Sequence, residues 1–233
     1  MKYDRILHVG ETPIKIVSMS LTLERYAAGR ALFNVLSDSP LSGEIRFFAG
    51  INDQLACYMT GTITSSVRID AKQQKITVRE KPFALERPMP LALRNVPISD
   101  ILKAIGDAAE IPIAWFGDWA EIPVPHFINL GTGLDALHLA ARLSLESTMS
   151  IIFSPNGGVF LAARNMTKQG RSLIQLPGTI FRDVSPIGAE CAFLPALRPG
   201  MRIQIDEQPE TVVASVTVSG DTMRVRWEQG EAS

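Results

Sequence analysis

Residues 15–24 read KIVSMSLTLE, so that Val17, Met19, Leu21 and Leu23 alternate with Ser18, Ser20, Thr22 and Glu24. Side chains two positions apart share a face only in extended backbone. The segment can therefore bury one face and wet the other only as a β-strand. Similar alternation recurs at 30–36, 44–49, 54–60, 63–70 and 75–79, with Gly, Asp, Asn, Ser or Pro between the runs. Short strands at this spacing predict a small antiparallel barrel or sandwich over residues 1–81.

The period then changes. KPFALERPMP, residues 81–90, carries three prolines and marks a boundary, because proline fixes its own φ and drives the preceding residue toward extended backbone. Beyond it Ile98, Ile101, Leu102, Ile105 and Ala109 fall on one helical face, with Ser99, Asp100, Lys103 and Asp107 opposite. Pro97 and Asp100 suit a first helical turn, where a missing N–H costs little and negative charge meets the helix dipole.

An extended PIAWF and VPHFINL follow, and then Thr132 offers a helix cap with Asp135 as its box partner. Leu134, Leu137, Ala141 and Leu145 supply the second apolar stripe. Two further strands, 149–153 and 159–163, flank SPNGG, whose Asn156-Gly157 suits a tight hairpin. The string is β-α-β-β-α-β-β, assigned to a middle domain over 82–168.

A polar stretch, RNMTKQGRS at 164–172, leads into strands expected at 172–176, 190–193, 201–206, 211–218 and 222–228. The fold class expected is α+β and mostly β. Two small antiparallel β-barrel domains, 1–81 and 169–233, flank or enclose the α+β unit. No motif repeats at a fixed 20 to 50 residue period.

With 23 basic against 24 acidic residues, the whole-chain charge gives no argument for nucleic-acid or membrane-surface binding. The opening MKYDRILHVGETPIKIV has no uninterrupted apolar core, so no secretory signal is expected and the chain is expected to fold in a cytoplasm. No window approaches 18 uncharged apolar residues, so no stable membrane insertion is expected.

Motif-based chemistry is likewise absent from the sequence. Cys57 and Cys191 form no CxxC pattern and read as small buried residues, and His8, His126 and His138 share no metal-ligand spacing. There is no GxSxG elbow, GxGxxG turn or GK[ST] loop. Glu80 with Glu86, and Asp118 with Glu121, could be drawn as acid and base, but they read as solvated surface charge. Trp115 and Trp119 read either as a contact surface or as core and loop packing. No catalytic, cofactor-binding or metal residue is assigned, and no enzyme is expected.

Two resemblances add to this. LRNVPISDILKAIGDAAEIPI, residues 93–113, with Gly131-Thr132-Gly133-Leu134 beyond it, is similar to a domain of outer-membrane secretins and TonB-dependent receptors. Three other segments resemble baseplate or tail-tip hub proteins of tailed phages, the Mu-type and late-control hubs, and spike-hub components of contractile injection systems. They are RFFAGINDQLACYMTGTITS (46–65), LPALRPGMRIQI (194–205) and VVASVTVSGDTMRVRWEQG (212–230). In the last, Val218 or Ser219 stands where such hubs carry a histidine.

The hub resemblance implies a structural homotrimer whose paired β domains make a pseudo-sixfold ring at the virion tail tip, produced in the host bacterial cytoplasm. It implies a distal-tail or tail-tube protein on one face and a central spike or fibre protein on the other. A tape-measure segment is a further candidate neighbour, and DNA meets the chain only by passage through the lumen. The alternative is a periplasmic secretin-like or receptor signalling-type binding component.

Overall fold

The computed structural model describes residues 2–144, 149–163 and 173–228. They form two compact units, Met1–Glu80 with Ser172–Ser233, and Lys81–Arg171.

The first unit is built from alternating strands. They are β1 (Tyr3–Val9), β2 (Thr12–Ile14), β3 (Ile16–Glu24), β4 (Arg30–Leu36), β5 (Glu44–Ile51), β6 (Gln54–Arg68) and β7 (Gln73–Glu80). β3, β4, β5 and β7 bury alternate residues, as Met19, Leu21 and Leu23 do in β3.

Two runs expected as separate strands, 54–60 and 63–70, are one fifteen-residue strand, β6. Gly61 does not break it. A Cβ there would lie 2.4 Å from the Arg79 carbonyl oxygen, so the glycine serves close backbone approach to β7.

The second unit follows in sequence: β8 (Leu91–Pro97), α1 (Ile98–Ala109), β9 (Ile113–Phe116), β10 (Pro123–Asn129), α2 (Gly133–Leu143), β11 (Met149–Phe153) and β12 (Val159–Ala163). The order is the β-α-β-β-α-β-β read from the sequence. All five expected positions of the α1 stripe are buried.

Thr132 caps α2, accepting from the Asp135 N–H at 3.1 Å while the Asp135 carboxylate accepts from the Thr132 N–H at 2.8 Å. β10 pairs with β8, and β9 pairs in parallel with β12, a crossover the local pattern did not carry. Leu145, the last residue of the expected α2 stripe, and the 164–172 segment lie outside the described residues.

The C-terminal stretch returns to the first unit with β13 (Leu173–Leu176), β14 (Phe181–Ser185), β15 (Gly188–Ala192), β16 (Arg202–Ile205), β17 (Thr211–Ser219) and β18 (Thr222–Trp227). Here the two-barrel expectation is corrected. The ladder runs β14-β15-β18-β17-β3-β4-β7-β6-β5-β1-β2 as an open path, with β16 on β17 and β13 on β16, and the described strands close no barrel.

The reason is the β3 edge. Ser20 to Glu24 pair with Ser219 to Ser215 of β17, so an edge that could have closed an N-terminal barrel instead joins the two ends of the chain. A common core follows: Leu21, Phe33 and Phe47 pack in one cluster with Phe193, Val218 and Met223. An aromatic chain runs through it, with ring centroids 5.4 Å apart for Phe33–Phe47, 6.3 Å for Phe47–Tyr58 and 5.5 Å for Tyr58–Phe193.

Leu21 is fully buried opposite Val218 on one side and Ala31 on the other. Leu21→Ala is therefore expected to cost about 2–5 kcal/mol in denaturant unfolding. It should raise amide exchange in Thr211–Ser219 as much as in Arg30–Leu36; a rise confined to the N-terminal strands would contradict the shared core.

Candidate functional site

The first unit holds a buried ion pair, Glu80 with Arg198, whose partners lie more than a hundred residues apart in sequence. Glu80 ends β7, and the alternation Ile76, Val78, Glu80 turns it inward, leaving it 2% exposed. Its Oε2 accepts the Gly29 N–H at 2.8 Å, and its Oε1 lies 3.5 Å from Nη2 of Arg198.

Arg198 sits in the turn before β16. It donates to the Tyr58 carbonyl and lies 5.1 Å from the centroid of the Tyr58 ring. In return the Tyr58 hydroxyl donates to the Leu197 carbonyl at 3.2 Å. The turn is thereby fastened to β6 and β7 by charge, hydrogen bonds and ring contact together. Gly29 packs close beside it: a Cβ there would fall 2.5 Å from Leu23 Cδ2 and 2.8 Å from the Glu80 carboxylate, so a larger residue would have to displace one of these side chains.

Burial pushes the Glu80 carboxyl above its usual range, against the opposing pull of Arg198 and the Gly29 N–H. It raises the Tyr58 hydroxyl for the same reason. The arrangement holds strands together.

As sequence, Glu80 and Glu86 read as solvated charge; for Glu80 the structure corrects this, since its side chain is in the core. The signal was the inward parity of β7. Arg198 and Tyr58 were not singled out, and only a lone arginine inside the apolar LPALRPGM turn hinted at a buried partner.

The other candidates stand apart. Trp119 is buried and donates to the Phe116 carbonyl at 2.9 Å, packing its own loop, while Trp115 packs partly buried against the α/β core. Asp118 and Glu121 lie on the short 3₁₀ turn between β9 and β10. His8 meets the Phe48 ring, His126 stands opposite Arg94 on the β8–β10 ribbon, and burial lowers the pKa of the half-buried His138 on α2.

Cys57 and Cys191 form no disulfide, and burial pushes the Cys191 thiol up to about 11. Among the described residues no three His, Cys, Asp or Glu side chains could hold a metal, and no helix is long and apolar enough to cross a membrane. A groove of about 700 Å³ opens where β1 and β2 fail to meet β3, lined by Tyr3, Ile6, Ile14, Ile16, Val17 and Met19 among others.

No protein-family model matches the chain. By sequence it is 20% identical over 223 residues to an uncharacterised 58.7 kDa protein of Haemophilus phage HP1, strain HP1c1. The match takes in 95% of this chain and 41% of that protein, so the chain spans about two fifths of that relative's length.

By structure it matches the 43 kDa tail protein of prophage MuSo2 from Shewanella oneidensis with a TM-score of 0.69 at 13% identity, over 98% of this chain and 97% of that one. The chain has the fold of that tail protein. It also matches the Escherichia coli c3393 protein, described as a type VI secretion component structurally similar to the T4 phage tail proteins gp27 and gp5. There the TM-score is 0.65 at 11% identity, over 97% of this chain and 76% of the other. These neighbours are thus a phage tail protein and a type VI secretion component similar to phage tail proteins. The secretin likeness of residues 93–113 gains no support from them; for that stretch the observed element order is what stands.

The buried pair has a pH signature. A carboxyl whose folded pKa lies above its unfolded value binds its proton more readily in the fold, so its contribution to stability falls as pH rises from below the ordinary carboxylate value through the raised one. Arg198→Met leaves the Glu80 charge without its partner. It is expected to cost about 3–5 kcal/mol near neutral pH, with the deficit shrinking on acidification as Glu80 protonates. Urea unfolding at a series of pH values reads this, and a pH-independent deficit would refute it.

Proposed function

We propose that this chain is a structural hub protein of a phage tail tip or baseplate. In this reading three copies form a pseudo-sixfold ring that joins the tail tube or distal-tail protein to the central spike or fibre. The single observation that carries it is the likeness to a prophage tail protein over nearly the whole of both chains, spanning both terminal β regions and the middle unit. The phage relative and the secretion component related to tail proteins point the same way.

In this reading the outer stretches, residues 1–81 and 169–233, although joined through β3 and β17 into one sheet, act as the two β modules that each subunit contributes, with residues 82–168 the middle domain between them. Three chains then present six modules, which matches threefold symmetry on one side to sixfold on the other. Sheet ends such as β14 and β2 are the edges that a closed ring would cover. The role is scaffolding and needs no active site, in keeping with neighbours described as tail components.

The purified chain is expected to show a species of three times its 25.5 kDa mass by mass photometry, alone or with its tail neighbours. Electron microscopy of virions carrying a labelled copy should place the label at the tail tip. A label found elsewhere on the particle would sink the proposal.

A further inference from the structure

The β1–β2 hairpin begins to zip and then parts. Leu7 pairs with Ile14 and Val9 with Thr12; the same register would set Arg5 against Ile16 and Tyr3 against Ser18, and those pairs do not form. β1 is bonded to β5 along its whole length but to β2 only from Leu7. β3 is bonded to β4 from Ile16 but to β17 only from Ser20. Residues 3–6 and 16–19 therefore each keep one edge without a partner strand among the described residues.

The two edges face one another across the groove of about 700 Å³, which both stretches line. The Asn52 N–H bonds the Lys2 carbonyl and the Gly10 N–H bonds the Glu44 carbonyl, which puts the even residues of β1 on the β5 side. Antiparallel alternation then turns the N–H and C=O of Tyr3 and Arg5 toward the groove. On the opposite rim β3 carries an irregularity between Ile16 and Ser18, and the Gly220 N–H reaches the Met19 carbonyl at 3.4 Å. The turn between β17 and β18 props the far end: Arg5 donates to the Gly220 carbonyl at 2.8 Å and pairs with Asp221 at 2.8 Å.

The walls are apolar, with Ile6 and Val17 exposed and Ile14 and Ile16 half-buried. The charged side chains lining the groove are Arg5 and Lys15, and no carboxylate lines it. Asp221 takes up Arg5, which leaves the exposed Lys15 to meet an acid.

We propose that the groove takes an extended segment of a partner protein, carrying alternate apolar side chains and a carboxylate, which adds as a short strand between β1 and β3. Unpaired N–H and C=O groups on a strand edge are a template for such addition, with backbone bonds supplying affinity and side chains supplying choice. Two facing rims require an occupant whose own two edges are both free. An edge strand of a second copy, such as β14, does not qualify, because β15 already holds one side of it. The open stretches span four residues each, so the docked part is about 13 Å long. The hub reading supplies only the setting, another component of the tail; the site itself rests on the groove.

The test uses the full chain and a fluorescein-labelled octapeptide of alternating valine and glutamate, read by anisotropy at neutral pH. Wild type should bind it with a Kd below about 1 mM. A copy N-methylated at its valines loses the N–H donors of one edge and should bind about tenfold more weakly. The valine–lysine counterpart should be weaker by a similar factor. Lys15→Glu should weaken the glutamate peptide by about fivefold and favour the lysine peptide. Lys75→Glu makes the same change at an exposed position of β7 that does not line the groove, and should leave both affinities within about twofold of wild type. Amide exchange should slow in residues 3–6 and 16–19 when peptide is present.

No binding by wild type, an N-methylated peptide as good as its parent, or a lysine peptide as good as the glutamate one would overturn the proposal. Exchange already slow in both stretches without peptide, in a sample that mass photometry shows to be oligomeric, would give the groove to a second copy and overturn it too. Labelled virions keep the two proposals apart. A chain absent from the tail tip whose groove binds peptide keeps the site and loses the setting, and a chain at the tail tip with an inert groove does the reverse.

Discussion

The β unit depends on one strand having more neighbours than a strand usually has. β17 pairs with β18 along one edge, and along the other it meets β16 at its start and β3 at its end. That shared edge converts two sequence-distant β regions into a single sheet with a single core. Without it, the face of β3 that carries Leu21 and Leu23 would have to find cover from N-terminal strands alone. The Arg198–Glu80 pair follows from the same junction: once β17 is in place, the turn 194–200 is brought to the end of β7, and the buried carboxylate there has a cation within reach. Such a pair is costly to desolvate, and it is better understood as fixing which turn docks where than as a net source of stability.

Much of this was legible locally. Strand parity in β3, β4 and β7, the apolar stripe of α1, the capping box at Thr132 and the Asn156-Gly157 hairpin are short-range signals, and each is present in the structure. What the chain does not write locally is pairing between distant edges. Nothing in KIVSMSLTLE says that its partner is VVASVTVS nearly two hundred residues on, because an exposed β edge is chemically the same whatever docks on it. Closed barrels were the economical guess for two separate runs of strands, and one long-range ladder was enough to overrule it.

Gly61 and Glu80 show the same limit on a smaller scale. A glycine between two alternating runs reads as a break, yet here it permits contact between backbones. A glutamate at the end of a run reads as solvent-facing, yet parity alone had already placed it inward. Arg198 had no such clue beyond its apolar surroundings. The candidate site was therefore less visible than the fold, since its members become neighbours only through tertiary packing.

β6 has a mechanical consequence of its own. Residues Gln54 to Thr62 are bonded to β5, while Gly61 to Arg68 are bonded to β7, so one unbroken backbone serves two ladders in succession. At about 3.4 Å per residue it reaches roughly 50 Å. A pull applied at either end is carried by covalent bonds through the handover point, and the hydrogen bonds on each side are loaded in shear along the strand instead of being peeled one at a time. A strand shared in this way couples the two ladders, so that load on one is passed to the other through the backbone of β6.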